Sequence, residues 1–324
     1  MKSTSGSCVD GSRSPVVFLM GPTATGKTEI ARRLHERMDC ELISVDAAQV
    51  YRGMNIGTAK PDAEFLVRTP HHLIDIREIS QAYSAADFSR DATALIAQIT
   101  QRGKVPVLVG GTMFYFSALE NGLSALPAAD PVLRKQIRQD IRENGLAALY
   151  EELAAADREM ARQLSPTDSQ RIQRAIEVLR LTGLPPSRLR RRAMGNALKH
   201  PVIKLAVFSG DRKTLHHEIG ERFRQMLERG LVDEVRALAG EPGFSGSLPA
   251  LRSVGYRQVL AHLNGTVPYA DMIGNGQAAT RQLAKRQLTW MRNQSNLVWF
   301  EKSQKRIVDS MVDFLEGAFQ MVHR

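Results

Sequence analysis

Residues 15–20, Pro-Val-Val-Phe-Leu-Met, are apolar without a break and rich in strand-forming side chains, the pattern of a short strand buried on both faces. A glycine-bounded loop follows. Residues 28–38 then place Ile30, Ala31, Leu34 and Met38 on one helical face, so strand, loop and helix are predicted in succession. Apolar runs at 42–45 and 73–76 predict two more buried strands. Phe88, Ala92, Leu95, Ile96 and Ile99 predict an amphipathic helix leading into a strand at 105–109. Buried strands alternating with amphipathic helices predict an α/β fold, a parallel sheet flanked by helices.

After Leu126-Pro127 the texture changes. Up to about residue 200 the chain shows helical periodicity, many charges and almost no β-branched runs, which predicts an inserted all-helical domain at 127–200 between two parts of a core, 15–126 and 201–324. Within the insert, Gly183-Leu184-Pro185-Pro186 ends a helix, and a run containing Arg188, Arg190, Arg191 and Arg192 follows, placed to meet an anion. A strand at 204–208 returns to the sheet. The remainder reads as helical: 215–228 closed by Gly230, a shorter helix from Tyr256, a long one through 278–291 and a last one from Ile307. The Ser/Gly-rich residues 1–14 predict a flexible leader.

Composition changes this picture little. Hydrophobic residues are 43% and charged residues 24% of the chain, and no apolar run approaches the roughly 18 residues of a membrane span. A soluble protein with no membrane partner is expected. The two cysteines, Cys8 and Cys40, form no CxxC pair, so a reducing cytoplasm and no zinc site are expected. Charge matters more. Lys and Arg number 44 against 34 Asp and Glu, a formal net charge of +10, which suits a polyanion such as nucleic acid or, equally, a plain basic surface.

Gly21-Pro22-Thr23-Ala24-Thr25-Gly26-Lys27-Thr28 fits G-x-x-x-x-G-K-[ST], and it lies where that loop works, after a strand and opening a helix. Its glycines let backbone amides wrap phosphate oxygens, Lys27 adds a cation and the Thr28 hydroxyl can hold Mg²⁺. The motif does not say which phosphate compound binds. Asp46, in Ser44-Val45-Asp46-Ala47-Ala48-Gln49, follows the second strand, where ligands of open parallel sheets sit. It reads as a site carboxylate or as a metal holder, a role Asp75 fills equally well. Val107-Leu108-Val109-Gly110-Gly111-Thr112 repeats the arrangement and offers a hydroxyl. Arg222 lies on a helix with apolar Leu215, Ile219, Phe223 and Met226; spacing favours a solvent-directed side chain, the alternative being a clamp on phosphate.

With these blocks in order the chain resembles the bacterial tRNA dimethylallyltransferases. The resemblance runs from about Val16 to Trp299 and includes Met54-Asn55-Ile56-Gly57-Thr58-Ala59-Lys60-Pro61, Tyr83-Ser84-Ala85-Ala86-Asp87-Phe88, Gln170-Arg171-Ile172-Gln173-Arg174, Ser253-Val254-Gly255-Tyr256-Arg257 and Thr280-Arg281-Gln282-Leu283-Ala284-Lys285-Arg286-Gln287. It implies a P-loop NTPase-like core that binds dimethylallyl pyrophosphate rather than ATP, with Mg²⁺ as cofactor, and an insert that grips the anticodon stem-loop of tRNA. It further implies that Asp46 is the general base. Lys27, Thr28 and Arg222 would hold pyrophosphate and Mg²⁺, and Thr112 would lie near the reacting centre. The RNA contacts implied are Asp46, Ala47, Ala48, Gln49, Thr112, Arg134, Gln170, Arg171, Ile172, Gln173, Arg174, Arg252, Ser253, Val254, Gly255, Tyr256 and Arg257. Where many members carry Ser this chain has Ala47, so a hydroxyl contact is missing there and Ala47 counts as a neighbour. A cytoplasmic monomer is expected. The rival expectations are a P-loop kinase of a small metabolite and a non-enzymatic RNA-binding module.

Overall fold

The computed structural model describes residues 14–124, 126–192, 194–195, 197–241, 244–246 and 248–322. The expected leader and Cys8 lie outside them. In chain order the elements are β1 (Val16–Met20), α1 (Lys27–Arg37), β2 (Cys40–Val45), α2 (Ala63–Arg68), β3 (His71–His72), α3 (Ala85–Gln101), β4 (Val105–Gly110) and α4 (Met113–Asn121). Next come β5 (Leu123–Ser124), α5 (Pro131–Ala156), α6 (Arg158–Gln163), α7 (Ser169–Thr182), α8 (Pro186–Arg192) and β6 (Met194–Gly195). The chain ends with β7 (Val202–Phe208), α9 (Arg212–Glu228), α10 (Leu231–Ala239), α11 (Tyr256–Leu263), α12 (Tyr269–Arg292), β8 (Leu297–Glu301) and α13 (Ile307–Val322).

Among the described residues six strands form one sheet in the order β3-β2-β4-β1-β7-β8, and every pairing is parallel. The strands are apolar on both faces because both faces are covered. Val17, Leu19, Leu42, Val107, Val109, Leu205 and Val207 meet α1 and α13 through Ile30, Leu34, Ile307, Met311 and Leu315. The alternate residue Phe18 packs on Phe116 of α4, ring centroids 4.9 Å apart. Among the described residues no helix is long and apolar enough to cross a membrane.

Two expectations of the core change. The predicted strand at 73–76 is absent, and β3 is His71–His72, because Leu73 and Asp75 take left-handed φ of 65° and 54° and turn the chain out of the sheet. The segment bonds to the loop after β2 instead, the Ile76 and Arg77 amides both donating to Val50 O. β8 lies in what reads as helical sequence; it is a parallel edge strand on β7, matching Lys204 to Leu297 and Phe208 to Glu301.

The chain divides into two compact units, Met1–Ser117 with Lys199–Arg324, and Ala118–Leu198. The second is wider at its start than the composition shift at 127 suggests, and it is not all-helical. An antiparallel pair, Leu123 with Gly195 and Ser124 with Met194, ties the start of the unit to its end. Its core is Ile137, Leu149, Leu153, Met160, Leu164, Ile172 and Ile176. Asp130, Asp157 and Asp168 cap α5, α6 and α7 through their side chains, satisfying helix-start amides that have no partner within the helix.

Candidate active site

Sheet register brings the chemistry together. Met20 of β1 pairs with Gly110 of β4, and Gly110 pairs with Val45 of β2. The loops that leave these three strands therefore emerge abreast, about 4.8 Å from strand to strand, at the carboxyl edge where α/β sheets bind ligands. The approach is close enough to demand glycine: a β-carbon on Gly110 would lie 2.1 Å from Val45 O, and one on Gly21 2.7 Å from Val207 O.

The phosphate loop divides its labour. The Thr25 hydroxyl, fully buried, donates to Pro22 O at 2.9 Å and holds the turn. Ala24 and Gly26 take left-handed φ of 69° and 75°, the kind of turn that gathers amides into an anion-binding concavity. For alanine that conformation costs on the order of 1–3 kcal/mol. Thr23, Ala24, Gly26, Lys27 and Thr28 line a cleft of about 650 Å³ at the start of α1, whereas Gly21, Pro22 and Thr25 support them from behind. Lys27 Nζ donates to Pro22 O at 2.6 Å.

Asp46, Ala47, Ala48, Gln49 and Thr112 line the same cleft. Asp46 Oδ1 accepts the amides of Ala48 (2.8 Å) and Gln49 (3.2 Å), which fixes the carboxylate and leaves Oδ2 for chemistry. The Thr112 hydroxyl accepts the Ala47 amide at 3.0 Å, and its own amide donates to Val45 O. Position 47 thus serves through its backbone, which its alanine side chain leaves intact. Arg222 enters the cleft instead of reaching solvent. Burial pushes Lys27 down to about 7, Arg222 pushes in the same direction and Asp46 opposes both. Burial also lowers Arg222, with Asp46 opposing. Two cations and one carboxylate are therefore within electrostatic reach of one another. Met226, Leu283 and Trp290 give the cleft an apolar lining.

Gln287 joins the site by tertiary structure alone. Its Oε1 accepts the Thr23 amide at 3.0 Å and its Nε2 donates to Gly111 O at 2.8 Å, so one buried amide on α12 spans the phosphate loop and the end of β4. In sequence it stands in a polar helical stretch, and only its place in the Thr280 to Gln287 block marks it. Asp75, the alternative metal holder, is elsewhere. Its carboxylate takes Lys60 Nζ at 2.5 Å, and it is not among the residues of the cleft.

A sequence model of the IPP transferase family matches residues 49–294. The chain belongs to that family. The tRNA dimethylallyltransferase of Thiobacillus denitrificans is 55% identical to this IPP transferase over 279 residues, 86% of this chain and 89% of that one. The tRNA dimethylallyltransferase of Halorhodospira halophila is 49% identical over 305 residues, 94% of this chain and 98% of that one. Among solved structures, the full-length tRNA isopentenylpyrophosphate transferase of Bacillus halodurans superposes with a TM-score of 0.71 at 34% identity, covering 96% of this chain and 98% of that one.

The residues expected to touch RNA fall into different environments in this IPP transferase. Arg252, Ser253, Val254 and Gly255 line the cleft, and Arg257 is exposed. Tyr256 is fully buried and its hydroxyl donates to Glu234 at 2.5 Å, so it supports the wall instead of offering surface. Burial first, then Glu234, raises its phenol. In the second compact unit Ile172 has no accessible surface and belongs to the core, which removes it as an RNA contact. Gln170 and Arg171 are exposed, and Gln173 donates to Ser169 Oγ at 2.7 Å. Arg134 and Arg174 converge on the buried Glu177: Arg134 Nε and Nη2 donate at 2.8 and 3.0 Å, and Arg174 Nη1 at 2.6 Å. The two guanidiniums and the Asp130 amide outweigh burial and hold the Glu177 carboxyl below its usual range. Arg188 begins the basic run on α8; the side chains of Arg191 and Arg192 lie outside the described residues.

Mg²⁺ can be tested against the donors present. Among the described residues no three His, Cys, Asp or Glu side chains converge as a metal cage. The cleft offers the Thr28 hydroxyl beside the phosphate loop. One or two such oxygens, completed by phosphate oxygens of a ligand, is the set Mg²⁺ favours. The residues fit.

Proposed function

We propose that the chain transfers the dimethylallyl group of dimethylallyl pyrophosphate to N6 of the adenine immediately 3′ of a tRNA anticodon, releasing pyrophosphate. The observation that carries this reading is the meeting of Lys27, Arg222 and Asp46 in one cleft with the phosphate loop. Cations there serve a leaving group that gains charge, and the carboxylate serves a nucleophile that must lose a proton.

The allylic carbon–oxygen bond breaks as its electron pair passes to the pyrophosphate. Loop amides, Lys27 and Arg222 neutralise that growing charge in a site partly closed to water, where fixed charges act most strongly. Thr28 would hold Mg²⁺, which when bound supplies further charge neutralisation on the phosphate oxygens. Adenine N6 supplies the new bond to the same carbon. Its lone pair is delocalised into the ring, so bond formation requires that its proton leave, and Oδ2 of Asp46 takes it. Met226, Leu283 and Trp290 give the branched prenyl chain an apolar wall. An anticodon loop suits such a site because its bases splay out of the stack at low cost. The surplus of Lys and Arg attracts the phosphate backbone, and Arg134, Gln170, Arg171, Gln173 and Arg174 are where the insert would grip it. The enzyme works as a monomer in the cytoplasm.

The assay is a mass gain on adenine after incubation with dimethylallyl pyrophosphate, Mg²⁺ and unmodified tRNA. Transfer of phosphate from ATP in its place would overturn the reading in favour of a kinase. Asp46→Ala is expected to keep tRNA binding and to lose at least ~100-fold in turnover; near-normal turnover would remove Asp46 from the mechanism.

A further inference from the structure

Glu234, on the first turn of α10, spends its whole carboxylate on residues 55–57 and on Tyr256 of α11. Oε2 accepts the amides of Asn55 (3.0 Å) and Ile56 (2.7 Å), and Oε1 accepts the amide of Gly57 (3.1 Å) and the hydroxyl of Tyr256 (2.5 Å). These four donors fill all the lone-pair positions a carboxylate offers. Charge-assisted bonds of this kind are stronger than neutral ones. The segment so held runs straight into the cleft wall, which Gly57, Thr58 and Ala59 form.

The next link reaches the chemistry. Thr58 O accepts from Gln49 Nε2 at 3.3 Å, Gln49 Oε1 accepts from the Ser44 hydroxyl at 3.1 Å, and the Gln49 amide donates to Asp46 Oδ1 at 3.2 Å. A continuous run of hydrogen bonds and one short stretch of backbone thus joins Glu234 to Asp46. The segment makes turn bonds of its own, Thr58 Oγ1 to Met54 O and the Ala59 and Lys60 amides to Ile56 O and Asn55 O, yet Ala59 sits at a left-handed φ of 47° and Gly57 packs so tightly that a β-carbon there would lie 2.4 Å from the Tyr256 ring. Its other end is pinned by Lys60, whose ammonium donates to Tyr51 O, Asn55 Oδ1 and Asp75 Oδ1. The phosphate side of the cleft is anchored separately, through Gln287 and through Lys27 on Pro22.

We infer that Glu234 is a positioning residue for the nucleoside side of the cleft, aligning residues 57–59, Gln49 and through them Asp46, with no part in holding the pyrophosphate. The inference rests on the function proposed above and deepens it, since it assigns one wall of the cleft to the adenine. A purely architectural Glu234, joining α10 to α11, would disturb both substrates alike.

The test is steady-state kinetics of Glu234→Gln with an anticodon stem-loop RNA and dimethylallyl pyrophosphate, each varied in turn, beside a thermal melt. A misplaced wall is expected to lower kcat/KM for the RNA about 10- to 100-fold, while KM for the pyrophosphate substrate stays within about twofold. Glu234→Asp, which keeps the charge, is expected to recover part of the loss. Tyr256→Phe, which removes one donor of the four and keeps the ring, is expected to shift RNA kinetics in the same direction even if Glu234→Gln fails to fold. Equal rises in KM for both substrates, or no loss of kcat/KM for RNA in Glu234→Gln and Tyr256→Phe, would overturn the inference. Failure of the unaltered protein to prenylate RNA would instead overturn the function on which it rests.

Discussion

Lys27 is a lysine whose ordinary charge the cleft makes conditional. Burial and the nearby Arg222 guanidinium bring it down to about 7, against the pull of Asp46. Below that pH the ammonium is present to meet pyrophosphate; above it the free cleft progressively loses that cation. A bound pyrophosphate reverses the balance by favouring the charged form. In the proposed reaction kcat/KM for the pyrophosphate substrate is therefore expected to fall as pH rises through about 7, approaching tenfold per pH unit, because it reports groups of the free enzyme. Lys27→Arg, whose guanidinium stays charged, is expected to flatten that limb. Rate measurements between about pH 6 and 9 decide it; an unchanged profile in Lys27→Arg would assign the limb elsewhere. Arg222 illustrates the opposite side of the residue scale. Its spacing beside Leu215, Ile219 and Phe223 gives no reason to expect it inward, and only the placement of α9 turns its charge toward Lys27.

At the scale of elements the cleft depends on how separate pieces are tied. Three strands contribute loops in register, but register alone does not hold a loop still. Gln287 on α12 does so for the phosphate loop and Gly111. Gln287→Leu keeps the volume and leaves the Thr23 amide and the Gly111 carbonyl without that partner. KM for dimethylallyl pyrophosphate is expected to rise roughly tenfold, the ~1.4 kcal/mol scale of the hydrogen bond lost at Thr23 on the phosphate loop, the other of the two lost bonds lying at the end of β4, with KM for RNA little changed; substrate-varied kinetics read both. α7 shows a related device in the second compact unit. Its buried Glu177 gathers Arg134 and Arg174, so these arginines are held as a fixed pair, unlike Arg171 on the same helix with its side chain 71% exposed.

For the whole molecule, a formal net charge of +10 implies that tRNA binding weakens steeply with salt as counterions are released and reclaimed. Arg171→Ala is expected to weaken binding at all sequences and to reduce the slope of log affinity against log salt by about 1. Filter binding across a salt series checks this, and an unchanged slope would deny Arg171 a phosphate contact. Arg174→Ala is a different experiment, since it also strips a partner from a buried carboxylate.

The sequence by itself determined the sheet with its helices, the phosphate loop and Asp46, because each is local: a run of apolar residues, a glycine spacing at a strand end, a carboxylate just beyond the next strand. What lay beyond it was set by contacts between distant parts. The strand expected at 73–76 gave way to His71–His72 because backbone pairing with residues 49–52 competes with the sheet. β8 arose because β7 offered an open edge to a short apolar run. Ile172 and Arg171 are neighbours in one motif, yet helical rotation sends one into the core and the other to solvent. Arg222, Gln287 and Glu234 acquire their positions from partners up to hundreds of residues away. Periodicity reports which face of an element is buried; only packing decides which other element it meets, and the polar joints that Gln287 and Glu234 make are of that second kind.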